Sequence, residues 1–212
     1  TLMMGPAYRV ASEFINHYSN THSLMHFSAK IATKTYDWIH DRMLDFVQAD
    51  KDEYTCFFSG SGTTSGMNRI ARTLNQYRPS KDMVLVSIME HHSNDLPWQE
   101  SIGITEYIGY DKQGRIDWRE LDKILSSPEH RDRPLKIGTF SAASNVTGIL
   151  TDPDDLARIM HAHAGYAFFD YAAAAPYVDI DMHPDPDDEC RNDAVFISVH
   201  KFVGGPQTPG VL

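Results

Sequence analysis

Hydrophobic positions along this chain change period once, and two kinds of segment result. From about residue 28 to 47 they recur at helical spacing, at Ile31, Tyr36, Trp38, Ile39, Met43, Leu44, Phe46 and Val47, which predicts an amphipathic helix. The segment 1–27 before it shows no such period and reads as irregular. After it, short runs rich in β-branched and aromatic residues occupy 54–58, 83–88, 104–110, 135–140, 166–169 and 194–199, the length and content of buried strands. Helical patterns lie between several of these, over 63–78, 117–126 and 153–164. The last opens on Asp152 as a candidate N-cap with Pro153 at the first helical position, where a missing N–H leaves no helical bond unmade.

Strands alternating with helices predict a mostly parallel sheet covered on both faces, a three-layer α/β/α architecture. One α/β domain over 28–212 accounts for the pattern, and no internal repeat, heptad or low-complexity linker interrupts it. The chain closes on Val211 and Leu212 after a Gly-Gly-Pro turn. Two apolar residues there look like the opening of a further strand, so the chain is expected to be part of a longer protein.

Composition narrows the function classes. Hydrophobic residues at 42% and charged residues at 23% fit an ordinary globular protein. A formal net charge of −10 disfavours nucleic acid and anionic membranes as partners. The acidic stretch 183–189 reads as a Pro-Asp surface loop. Two cysteines are too few for a disulfide framework. Cys56 lies in an apolar run and reads as a small buried hydrophobe, and Cys190 lies in the polar loop without ligand partners nearby. There is no signal peptide and no apolar run near the roughly eighteen residues of a membrane span, so a cytoplasmic location is expected.

Ligands of open parallel sheets bind beyond the carboxyl ends of the strands, so the residues just past each run are the informative ones. The run at 54–58 leads into SGSGTTSGMN, where Gly60 and Gly62 permit a tight turn before a helix. Free N–H groups with the hydroxyls of Thr63 and Thr64 make either a phosphate cradle or a purely structural cap. The 83–88 run ends at MEHHSNDLPW, where His91 can stack on an aromatic ring, move protons or simply occupy a loop. Adjacent His91 and His92 are poorly spaced to ligate one metal ion. After 135–140 comes SAASNVTGI, in which Asn145 is placed to donate to an anionic oxygen or to shape an ordinary turn.

The 166–169 run continues into DYAAAAP. A carboxylate there, Asp170, must meet a positive partner or cap a helix; a protonated pyridine nitrogen would be such a partner. Asp179 and Asp181 further on read as solvated loop residues. The last run leads into SVHKFVGGP. Strand alternation predicts that Ser198 and His200 point to one side, with Lys201 where the strand breaks. A lysine desolvated by apolar neighbours can act as nucleophile and base; the alternative is a surface lysine. Phosphate loop, stacking group, pyridinium partner and Schiff-base lysine in sequence describe a pyridoxal 5′-phosphate (PLP) site.

These segments resemble the class V aminotransferase family of PLP fold-type I, in particular its cysteine desulfurase-like branch, from about residue 20 onward. SVHKFVGGP, DYAAAAP and SNVTG carry the resemblance most specifically. It implies that Lys201 forms the Schiff base with PLP, Asp170 pairs with the pyridine nitrogen and His91 stacks over the ring. Thr63, Thr64, Ser198 and His200 would hold the phosphate, and Asn145 would lie near the ring hydroxyl and the substrate carboxylate. It further implies an amino-acid substrate, a homodimer and, for a desulfurase, a sulfur-acceptor protein.

Three departures qualify it. Ala173 stands where desulfurases carry a glutamine, which favours an aminotransferase, lyase or epimerase as the alternative. Gln207 replaces a common glycine, and the family's small C-terminal domain, with its carboxylate-binding arginine and persulfide cysteine, is not in this sequence. Cys190 precedes Lys201 and does not match that cysteine. The isolated chain is expected to be inactive, and a non-catalytic dimerisation scaffold is the reading of another class.

Overall fold

The structure, a computed structural model, describes residues 2–77, 82–100, 103–205 and 208–212, with the Tyr77 side chain excepted. Helices α1 (Gly5–Ile15) and α2 (Phe27–Phe46) precede strand β1 (Phe58–Ser59) and α3 (Thr63–Tyr77). Then come β2 (Met83–Ser87), α4 (Leu96–Gln99), β3 (Ile104–Ile108), α5 (Trp118–Ser126), β4 (Lys136–Ser141) and α6 (Pro153–Ala162). The chain ends with β5 (Tyr166–Asp170), β6 (Ala194–Ser198) and β7 (Gly210–Val211).

The strands form one seven-stranded sheet in the order β1-β7-β6-β5-β4-β2-β3. Pairings from β3 across to β6 are parallel, and β7 runs antiparallel between β6 and β1. Both faces are covered, which is why β2 reads Met-Val-Leu-Val with no polar alternation. Its side chains divide by parity: Met83 and Leu85 enter one core, with Leu121 and Leu125 of α5 and Leu156 and Met160 of α6. Val84 and Val86 enter the other, with Met67 and Ala71 of α3 and Trp98 of α4. Three layers result, as the hydrophobic pattern predicts.

Local signals set the helix starts. Asp117 accepts from the N–H groups of Arg119 and Glu120 ahead of α5, and Asp152 accepts from Asp155 N–H ahead of α6. Chain direction reverses its outward march between β2 and β4: β3 adds on one side of β2, then β4, β5 and β6 add on the other. That switch opens a crevice at the carboxyl ends of β2 and β4.

The structure corrects the sequence reading in four places. The N-terminal segment is not irregular, because α1 forms there, although it buries no residue. The run at 54–58 is extended strand only at its end: Phe58 pairs with Val211 of β7, and Phe57 exchanges N–H and C=O bonds with Leu212. β3 stops at Ile108, and Tyr110 makes only an isolated bridge with Ile116. β6 stops at Ser198, and Val199–Lys201 is a 3₁₀ turn rather than strand. Gln207 lies outside the described residues.

Candidate functional site

The carboxyl ends of β2, β4, β5 and β6 and the amino end of α3 surround a cavity of about 260 Å³. Thr63 and Thr64 line it from α3, with His91 from the segment after β2 and Asn145 from the loop after β4. Asp170 closes it from the end of β5, and Ser198, His200 and Lys201 line it from the end of β6 and the turn beyond. Every site residue singled out in the sequence therefore reaches one cavity.

The loop before α3 is built for close approach. Gly62 has φ +71°, and a Cβ there would lie 2.8 Å from His200 Cε1 and 3.0 Å from Ser198 Oγ, so only glycine lets these side chains meet the loop. Thr63 N–H donates to Ser198 Oγ at 3.0 Å, which fastens the start of α3 to the end of β6. Thr63 is buried and Thr64 is exposed to the cavity side. The partly buried His200 reaches the same loop as Ser198, but through the 3₁₀ turn and not through strand alternation.

Asp170 is 4% exposed. One carboxylate oxygen accepts from Ala172 N–H at 2.8 Å, a local turn that replaces the helix cap. The other takes no donor among the described residues. Burial, aided by the negative charge of Glu90, pushes its pKa up to about 7, while Ala172 N–H and Lys201 act in the opposite direction. Lys201 is exposed at the cavity wall, so the desolvation expected of it is not supplied by the described residues. Asn145 is exposed as well, and it also borders a neighbouring cavity of about 650 Å³ that shares His91 and is walled by Ile88, Tyr110 and Val146.

His91 caps the turn His92–Asn94. Its Nδ1 accepts from Ser93 N–H at 3.1 Å and lies 2.8 Å from Ser93 Oγ, so the ring proton sits on Nε2. Sequence reasoning missed the residue before it. Glu90 accepts hydrogen bonds from Ser87 Oγ (2.5 Å), Ser141 N–H (2.9 Å), Ser141 Oγ (2.6 Å) and Asn94 Nδ2 (2.7 Å). A glutamate after an apolar strand was the available signal, but Ser141 is distant in sequence.

Ala173 is partly buried and lines the cavity. Neither cysteine does. Cys56 is buried with its thiol pKa raised by burial to about 11, and Cys190, at the end of the polar loop, is fully buried with its thiol 3.7 Å from Asp185 O. Asp179 is exposed and Asp181 partly so. No group of side chains fit to hold a metal ion occurs among the described residues, and no described helix is long and apolar enough to cross a membrane.

A three-layer sheet domain with these groups at its carboxyl edge defines the PLP fold-type I class. The chain belongs to the aminotransferase class-V family, whose model matches residues 7–212. It is 30% identical over 199 residues to a probable cysteine desulfurase of Halalkalibacterium halodurans, covering 92% of this chain and 46% of that protein. A cysteine desulfurase of Synechococcus elongatus is 28% identical, with 96% of this chain and 32% of that protein covered. Among solved structures, the apo cysteine desulfurase of Thermococcus onnurineus superposes over 100% of this chain and 50% of its own, with a TM-score of 0.83 at 23% identity. The chain thus spans about half the length or less of these relatives.

Proposed function

We propose that the cavity holds PLP and that the protein to which this chain belongs acts on an amino acid as a cysteine desulfurase-like enzyme. The observation that carries this is Asp170, a buried carboxylate with an oxygen that no donor among the described residues meets, facing a cavity whose far wall bears Lys201. A buried carboxylate needs a cationic or donating partner, and a protonated pyridine nitrogen supplies both. The cradle at Gly62, where α3 begins and Ser198 and His200 converge, suits a phosphate by its close backbone approach, its hydroxyl and imidazole groups and the helix dipole.

In this reading Lys201 Nζ is the group that would bind the cofactor aldehyde, and Thr63, Thr64, Ser198 and His200 would hold its phosphate. His91 would cover a ring face with its Nε2–H available for proton transfer, and Asn145 would donate near the ring oxygen. The cofactor, when bound, withdraws electrons from the substrate α-carbon. Asp170 would keep a pyridine nitrogen protonated, and Lys201 would serve as the base that moves the α-proton. A homodimer and a sulfur-acceptor protein belong to the same reading.

One observation favours a second outcome of the chemistry. Ala173 lines the cavity without a polar side chain, and neither cysteine of this chain reaches it. Sulfur transfer therefore requires a thiol outside these residues, whereas amino transfer, elimination or epimerisation does not. Adding cysteine and a thiol reductant to the complete protein and measuring alanine against keto acid separates them; alanine formed together with sulfide identifies a desulfurase, and pyruvate formed with sulfide identifies an elimination. For the cofactor itself, Lys201→Ala abolishes the visible absorbance of covalently bound PLP, and a variant that keeps that band refutes the assignment.

A further inference from the structure

Glu90 has no role in that chemistry, yet no other carboxylate among the described residues accepts so many hydrogen bonds. Its four donors come from three places: Ser87 at the end of β2, both N–H and hydroxyl of Ser141 at the end of β4, and Asn94 in the following turn. The orientation of Asn94 is fixed, because its Oδ1 accepts from Trp98 Nε1 at 3.2 Å and from Thr139 Oγ1 at 2.6 Å. Its amide must therefore donate to Glu90. Ser141 N–H likewise can only donate. With the hydroxyls of Ser87 and Ser141 donating as well, every acceptor position of an ionised carboxylate is used. Ser141 is the register partner of Asp170 across β4 and β5, so the clamp stands directly behind the cavity's buried carboxylate.

We propose that Glu90 is a positioning residue for this site: a buried carboxylate clamped across two strand ends that acts through Asp170 as a second fixed negative charge. The inference rests on the reading of the cavity as a PLP site, and its test distinguishes the two.

The charge assignment follows from the unequal solvation of the two carboxylates. Burial raises the pKa of Glu90, but four hydrogen bonds oppose it. Asp170 has a single N–H donor against comparable burial. Glu90 thus meets four donors where Asp170 meets one, and the charge of Glu90 is among the causes that raise the Asp170 pKa. The other titratable groups at Asp170 are Lys201 and His200 on the turn after β6 and His91 opposite. Two negative charges behind the cavity increase its demand for a cation at the position of the pyridine nitrogen, and they hold the proton there more firmly than Asp170 alone.

The test is the carboxyl carbon NMR titration of Asp170 in the full chain without PLP. In Glu90→Gln the Asp170 midpoint falls by about one pH unit, as expected for removal of a nearby like charge. The new glutamine would set its amide against that of Asn94, and the single variant could lose the fold. Glu90→Gln combined with Asn94→Asp restores the donor–acceptor pairing while moving the charge one hydrogen bond away from Asp170. Its Asp170 midpoint lies between those of the wild type and a neutral clamp. A purely structural Glu90 would leave the midpoint where it is, so a wild-type midpoint in both variants overturns the proposal. With PLP added, the same variants weaken PLP binding several-fold. A wild-type chain that binds no PLP counts against the cofactor reading, and the Asp170 titration still decides the role of Glu90.

Discussion

Gly62 and Gly148 share a backbone conformation, with φ +71° and +72°, but not their surroundings. A side chain at either is strained by about 1–2 kcal/mol, the cost of left-handed backbone for an L-residue. At Gly148 a Cβ meets nothing within 4 Å, whereas at Gly62 it presses on His200 and Ser198. Gly148→Ala should therefore lose stability through strain alone. Gly62→Ala should lose more and should also weaken PLP binding, because the cradle side chains must move. Urea unfolding and PLP titration of the two variants check this, and equal losses with equal PLP affinity would contradict the cradle. Residues of this kind were legible in the sequence, since Gly60, Gly62, Asp170 and Lys201 announce themselves by type and place. Glu90 was not, because its meaning lies in bonds to Ser141, a residue 51 positions away. A single sequence carries no trace of which distant donors a carboxylate will meet.

At the scale of elements, the buried strands and capped helices follow from local chemistry. The exceptions are elements whose existence depends on partners. β1 pairs only with β7, the bonds of Phe57 with Leu212 continuing it by one residue, and α1 carries an apolar stripe that buries no residue. The acidic stretch after β5 also depends on a partner, His161 of α6, whose side chain is 3% exposed. Its Nδ1 lies 2.8 Å from Glu189 O and its Nε2 2.8 Å from Asp193 Oδ2. A carbonyl and a carboxylate that already accepts Ala167 N–H both require a donor, so the ring is the doubly protonated imidazolium. The hydrogen bond to Asp193 is the main cause of its raised pKa; burial opposes it, and the Glu189 carbonyl adds to it. The sign is that of a base with raised folded pKa: stability is fully present below the unfolded value of 6.5 and is lost as pH rises through the folded value. The stability of the wild-type chain should fall over that interval relative to His161→Leu. Denaturant midpoints measured across the same pH range test it, and parallel curves would exclude the imidazolium.

The whole molecule sets its own fold against its ligand. Asp170 binds a proton in the folded chain up to about pH 7, well above its ordinary value of 3.8. The folded state then holds more protons than the unfolded state between these values, so the contribution of Asp170 to stability falls as pH rises from about 4 to about 7. Above that range the ligand-free fold contains a buried anion with one hydrogen bond. Asp170→Asn removes the anion while keeping an oxygen for Ala172 N–H, and it should raise the thermal midpoint of the ligand-free protein at pH 8. The same change deprives a pyridinium of its counter-charge, so PLP should stabilise the variant far less than the wild type. The opposite signs follow from one cause, a buried carboxylate with an oxygen that no donor among the described residues meets. Thermal unfolding with and without PLP at pH 6 and pH 8 separates the terms. If Asp170→Asn were destabilising without PLP at pH 8, the carboxylate would have its partner within the fold, and the cofactor would not be the group that completes it.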